Sequence, residues 1–124
     1  MKEKSYTLQF ELRDDYLYAH LEGQDSFNAS IEYWPRIAEE VRTRNLTKVL
    51  VHENLEDELS EGEVFELIME VLPASTGIKV ALFDEQQVNS DINELGELVA
   101  RNRGADIRIF QSLENAENWL AASE

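Results

Sequence analysis

Residues 6–13, YTLQFELR, set Tyr6, Leu8, Phe10 and Leu12 against Thr7, Gln9, Glu11 and Arg13, the two-residue period of a half-buried strand. Asp14-Asp15 supplies a turn. Beyond it YLYAHLE alternates again, with Leu17, Ala19 and Leu21 on one side and Tyr16, Tyr18 and His20 on the other. The pair reads as an antiparallel hairpin that Gly23 ends. From Phe27 the spacing becomes helical: Phe27, Ile31, Trp34, Ala38 and Val41 form one stripe, with Glu39, Glu40, Arg42 and Arg44 opposite. Pro35 leaves two readings open, a regular helix that starts near Trp34 or an earlier turn from Asn28 kinked at the proline. Asn45 is a stop signal.

Lys48 to Val51 has the composition of a short β-branched strand, followed by an acidic loop from Glu53 to Glu58 and a helix from about Glu61 to Leu72. Ser60 with Glu63 three residues later is a capping-box pattern, in which hydroxyl and carboxylate each satisfy an orphan backbone donor. The cycle repeats with a strand from Ile78 to Phe83, a helix from Ser90 to Asn102 ended by Gly104, and a strand from Ile107 to Phe110. A final helix carries Leu113, Ala116, Trp119 and Leu120 at helical spacing. The order ββαβαβαβα predicts an α/β fold on a mixed five-stranded sheet, the later strands pairing in parallel through right-handed crossovers. Lys79 and Arg108 interrupt their strands, and the hairpin is polar along one side. Helices are therefore expected mainly on one face of the sheet.

At 124 residues the chain is read as one domain, residues 1–124, with a single core. It has no cysteine, which excludes a disulfide framework and any thiolate zinc site and fits a reducing compartment. The opening residues hold no apolar signal segment, and no apolar run approaches the roughly 20 residues that span a bilayer, so membrane insertion is not expected and a cytoplasmic location is. Its 26 acidic residues against 11 basic ones give a net charge of -15. That charge repels nucleic-acid phosphates and anionic lipid surfaces over a Debye length of about 8 Å, and it suits a basic protein partner or plain solubility.

Leu21-Glu22-Gly23 at the end of the second strand, Trp34-Pro35 in the first helix, Lys48-Val49-Leu50-Val51, and Ile107-Arg108-Ile109-Phe110 with Glu114, Ala116, Trp119 and Leu120 carry a family likeness over nearly the whole chain. In their order and spacing the sequence resembles the STAS domains (sulfate transporter and anti-sigma factor antagonist). More closely it resembles the small stand-alone bacterial proteins called SpoIIAA-like, which share their fold with the lipid-binding CRAL-TRIO domains. The resemblance implies a non-enzymatic regulatory module of the bacterial cytosol that binds a protein. In the antagonists a serine at the start of the helix after the third strand is phosphorylated by a kinase, and the added charge abolishes partner binding. The corresponding stretch is Glu58-Leu59-Ser60-Glu61-Gly62, which keeps Ser60 and Gly62 but lacks the preceding aspartate and the paired hydroxyl. Ser60 thus stands both as a possible phosphorylation site and as an ordinary helix cap, and the carboxylates around it oppose added phosphate.

The carboxyl ends of parallel strands, where open α/β sheets place ligands, select His52 to Asp57 and Asp84, Glu85 and Gln86. His52, Glu53, Glu56 and Asp84 offer ligands to a hard cation, but at no spacing of a defined site, so a solvated acidic rim is the plainer reading and no metal or cofactor is assigned. There is no G-x-S-x-G, no phosphate loop, and no histidine beside an obvious nucleophile; His20 reads as a surface or interface residue, and no catalytic residue is assigned. The helix over Val64, Phe65, Leu67, Ile68, Met69, Val71 and Leu72 is apolar over more than one stripe. It is either buried all round or meets something through Phe65, Met69 or Leu72, with Phe27, Tyr33 and Trp34 as a further extension of the patch. The expected contact surface is Glu56, Asp57, Ser60, Phe65 and Met69, with Asp84 to Gln87 alongside, and the expected partner is another protein or a second copy in a homodimer. The alternative is a carrier for a lipid or small apolar molecule in a pocket beneath the second and third helices.

Overall fold

A computed structural model of the chain describes residues 5–86 and 90–122. The elements are β1 (Tyr6–Arg13), β2 (Tyr16–Gln24), α1 (Phe27–Thr43), β3 (Lys48–Glu56), α2 (Glu61–Val71) with a 3-10 turn at Leu72–Ser75, β4 (Lys79–Asp84), α3 (Asp91–Asn102), β5 (Asp106–Phe110) and α4 (Leu113–Ala122). The strands lie side by side in chain order in one five-stranded sheet. β1 and β2 pair antiparallel from Tyr6 opposite Gly23 to Arg13 opposite Tyr16, and the β2–β3, β3–β4 and β4–β5 pairs are parallel. The expected ββαβαβαβα order and mixed sheet are therefore present.

Gly23 is demanded by this pairing. Its φ is +124°, and a Cβ there would sit 2.5 Å from the Ser5 carbonyl oxygen, so no side chain fits. Helix α1 resolves the proline question: it runs from Phe27 through Pro35 to Thr43 as one helix, capped by Ser26, whose hydroxyl accepts from the Ala29 N–H at 3.0 Å. The proline removes one backbone donor without ending the helix.

Alternation along the strands sorts the core into two faces. Leu17, Ala19, Leu21, Val49, Val51, Val80 and Leu82 point to one side and meet Tyr33, Ile37 and Val41 of α1, while α2 and α3 close over the same side around Leu67, Ile68 and Ala100. Tyr16, Leu50 and Ala81 point to the other and are covered by Ala116 and Leu120 of α4. Three helices thus lie on one face and one on the other. The helices are mainly on one face as the strand polarity predicted, but the opposite face is not wholly wet. Lys79 and Arg108, the residues that marked it as polar, do lie there, where they lean over the Trp119 ring with their charged ends 4.2 and 5.6 Å from its centroid.

Candidate functional site

Strand β3 extends five residues beyond the expected Val51, to Glu56, and this change builds the site. The stretch expected as an acidic loop continues the strand's alternation, so Glu53 falls in phase with Val49, Val51 and Leu55 and turns under the three helices. Asp84, the last residue of β4, is paired with Glu53 in register and lies on the same face. Both are buried, each about one-twentieth exposed. The reading of this region as a solvated rim holds for Glu56, Asp57 and Glu58, which are exposed, and is corrected for Glu53 and Asp84.

The two carboxyl groups are hydrogen-bonded to each other. Asp84 also accepts from the Asn93 side-chain amide at 2.7 Å and from the Gln86 N–H at 3.2 Å. Burial pushes Glu53 well above the ordinary carboxylate range, and the nearby Asp84 and Asp25 push it further. Asp25, in the turn before α1, is raised by burial although it accepts from the Ser26 N–H at 2.8 Å, the Ser30 hydroxyl at 2.9 Å and the Tyr33 hydroxyl at 3.1 Å. Burial and the charges of Glu53 and Asp25 raise the Tyr33 phenol as well.

These groups form the polar end of a pocket of about 140 Å³ between the sheet and α1, α2 and α3. Its body is apolar, with Leu67, Ile68, Leu82, Ile92 and Ile107 among the walls. An apolar cavity with a few convergent polar groups at one end is the general form of a small-molecule site.

Of the contact residues named from sequence, Phe65 and Met69 stand on the outer side of α2, about half exposed, with the Arg103 guanidinium 5.1 Å from the Phe65 ring centre. Val64, Leu67 and Ile68 of the same helix are buried, so its excess apolar surface divides between core and exterior. Ser60 forms the expected capping box: its hydroxyl accepts from the Glu63 N–H at 3.2 Å, and the Glu63 carboxylate accepts from the Ser60 N–H at 2.9 Å. Glu56, Asp57, Ser60, Phe65 and Met69 are all exposed, whereas Asp84 faces the pocket. Gln87 lies outside the described residues. Among the described residues no group of His, Asp and Glu has the arrangement of a metal site, and no helix is long and apolar enough to cross a membrane.

The opposite face holds a constellation that sequence reasoning missed. His52 bridges Tyr18 and Glu85, with its Nδ1 2.7 Å from the Tyr18 hydroxyl and its Nε2 2.8 Å from the Glu85 carboxylate. The His20 ring lies 4.8 Å from the His52 ring, centre to centre. Partners on both ring nitrogens fix the ring's orientation. The available signal was register: Tyr18 and His20 lie on adjacent pleats of the outer side of β2, and parallel pairing sets His20 beside His52.

No protein-family model matches the sequence, and no curated protein matches it. Several solved structures match this architecture, two of which illustrate it. The chain has a SpoIIAA-like, STAS-like α/β fold. It is similar to the anti-sigma factor antagonist SpoIIAA in its unphosphorylated form at 10% identity, over 95% of this chain and 100% of that one, with a TM-score of 0.55. It is similar to the protein TM1081, solved by NMR, at 12% identity, over 99% of this chain and 95% of that one, with a TM-score of 0.54.

Proposed function

We infer that the chain is a single-domain, non-enzymatic, STAS-like regulatory module of the bacterial cytosol that binds another protein through the loop and helix after β3. The observation that carries this reading is the outward placement of Phe65 and Met69 on α2, on a fold shared with an anti-sigma factor antagonist. Glu61, Glu66 and Glu70 surround them on the same helix, and Glu56 and Asp57 lie in the approach to it. A complementary partner therefore presents an apolar spot rimmed by lysine or arginine, and a second copy of this acidic chain is the less favoured occupant at low salt. Ser60 at the helix start is the place where phosphorylation would change this surface. The test compares the intact protein with a Phe65→Asp/Met69→Asp double variant in capture from the native cell and in sedimentation velocity. A protein or self-associated species held by the first and lost by the second supports the reading; equal behaviour of the two refutes it.

A second reading, that the fold shelters a small apolar molecule beneath α2 and α3, is favoured by the pocket itself. At about 140 Å³ it compares with an engineered cavity of roughly 150 Å³ that binds benzene, so it fits a single ring or a short alkyl chain rather than a whole lipid. Native mass spectrometry after exposure to toluene or lipid extract checks it: a small bound mass supports the pocket, and a chain that stays empty with both counts against it.

A further inference from the structure

We propose that the pocket between the sheet and helices α1, α2 and α3 binds a small apolar amine, one ring or a short alkyl chain bearing a single protonated nitrogen, whose ammonium group seats against Glu53, Asp84 and Asp25. This deepens the apolar-ligand reading and rests on it.

The argument begins with the walls. The pocket's interior surface is mostly hydrocarbon, which selects an apolar body and, at about 140 Å³, a small one. Its polar residues are one-sided. Asp25, Glu53 and Asp84 converge at one end, Glu97 and Asp106 also contribute to the lining, and among the described residues no lysine, arginine or histidine does. An anionic ligand such as a fatty acid would be taken from water into a low-dielectric site with several carboxyl groups and no counter-charge, which disfavours it strongly. A cation meets the reverse situation. The polar end offers oxygen acceptors from three separate elements, the turn before α1, β3 and β4, and an ammonium group brings three donors that these can receive.

The site is also pre-formed. Asp25 is held by the Ser30 and Tyr33 hydroxyls and Asp84 by the Asn93 amide, so the acceptors are oriented before any ligand arrives. Fixed acceptors reduce the ordering cost of binding. Glu53 and Asp84 lie opposite each other in register and share a hydrogen bond, and the incoming ammonium takes the place of the proton between them, which leaves to solvent.

The test is an NMR titration of the full chain with benzylamine, toluene and phenylacetate, repeated on a Glu53→Gln/Asp84→Asn variant that keeps the shape and removes the charge. The expected result is benzylamine binding at least about tenfold tighter than toluene, with shifts centred on Leu67, Ile68 and Asn93, and no phenylacetate binding, where tenfold corresponds to 1.4 kcal/mol. In the double variant toluene binding is retained and the benzylamine advantage disappears, which also shows that the variant is folded. Toluene binding without any preference for benzylamine, or equal binding of phenylacetate, overturns the amine assignment and leaves the apolar pocket standing. If none of the three binds, the pocket reading falls and the assignment with it.

Discussion

The two faces of the sheet are built from the same strands and treat their acidic residues in opposite ways. On the three-helix face, Glu53 and Asp84 are sealed beneath α1, α2 and α3 with a pocket beside them. On the other face, just past β4, the Glu85 carboxylate reaches solvent, while His52, itself buried, is tied between it and Tyr18. Strand periodicity decides this, since a shift of one residue moves a side chain from one environment to the other. The difference teaches that acidity alone marks no site in a chain with 26 acidic residues; desolvation does.

The largest blow to the comparison comes from the core of either face. Leu120→Ala, on the sheet-facing side of α4, and Leu17→Ala, beneath α1, each empty a fully buried position and are expected to cost about 2–5 kcal/mol in urea unfolding. A Leu120→Ala cost below about 1 kcal/mol would mean that α4 is not docked.

Glu53→Gln sharpens the comparison in the other direction. Because folding raises the Glu53 value, the folded chain keeps a proton that the unfolded chain releases. The stability this group contributes is complete below its unfolded value and fades as pH rises through the folded one, and the raised Asp25 acts with the same sign. The glutamine variant is therefore expected to match the parent in acid and to be more stable by on the order of 1–3 kcal/mol at neutral pH. Thermal unfolding across that range reads the widening gap, and two parallel curves would refute it.

Smaller effects follow. Ser60→Ala removes the capping box over the pocket face and is expected to cost about 1 kcal/mol in the same unfolding assay. Tyr18→Phe, on the half-open face, deletes one hydrogen bond to His52 beside solvent and is expected to cost about 0.5–1 kcal/mol. A loss as large as that of a core leucine would show that the outer chain is structurally equivalent to the inner acids.

Much of this fold was legible in the sequence for local reasons. The alternation of β1 and β2, the Ser60–Glu63 cap and Gly104 after α3 are signals carried by neighbouring residues, and they placed the elements within a few positions. The extent of β3 was not, because Glu53 interrupts an apolar run and a buried acid reads in sequence like a loop residue. Leu55, in phase with Val49 and Val51, was the available clue. Tyr33 and Ile37 escaped the stripe drawn through Phe27 and Trp34, though Tyr33 is the largest fully buried side chain of α1. The side of α4 was likewise hidden: an amphipathic stripe shows that a helix buries one face, not which face of the sheet it meets. Lys48 adds to that ambiguity, since it is buried only because its ammonium donates to the Leu120 carbonyl at 2.9 Å and to Asp15 at 3.2 Å. Phe65 and Met69 were expected on the exterior of α2 and are exposed, whereas Glu53 and Asp84 were named only as rim residues and their burial was not legible.

The buried acid pair is the feature on which the proposed ligand class and the contrast between the faces rest. A carbon-detected NMR titration of the Glu53 carboxyl group measures it most directly. The expected result is a midpoint well above the ordinary glutamate value, shifted by the Asp84→Asn substitution because the two groups share a proton. A Glu53 carboxyl that titrates at the ordinary value, indifferent to residue 84, would contradict it.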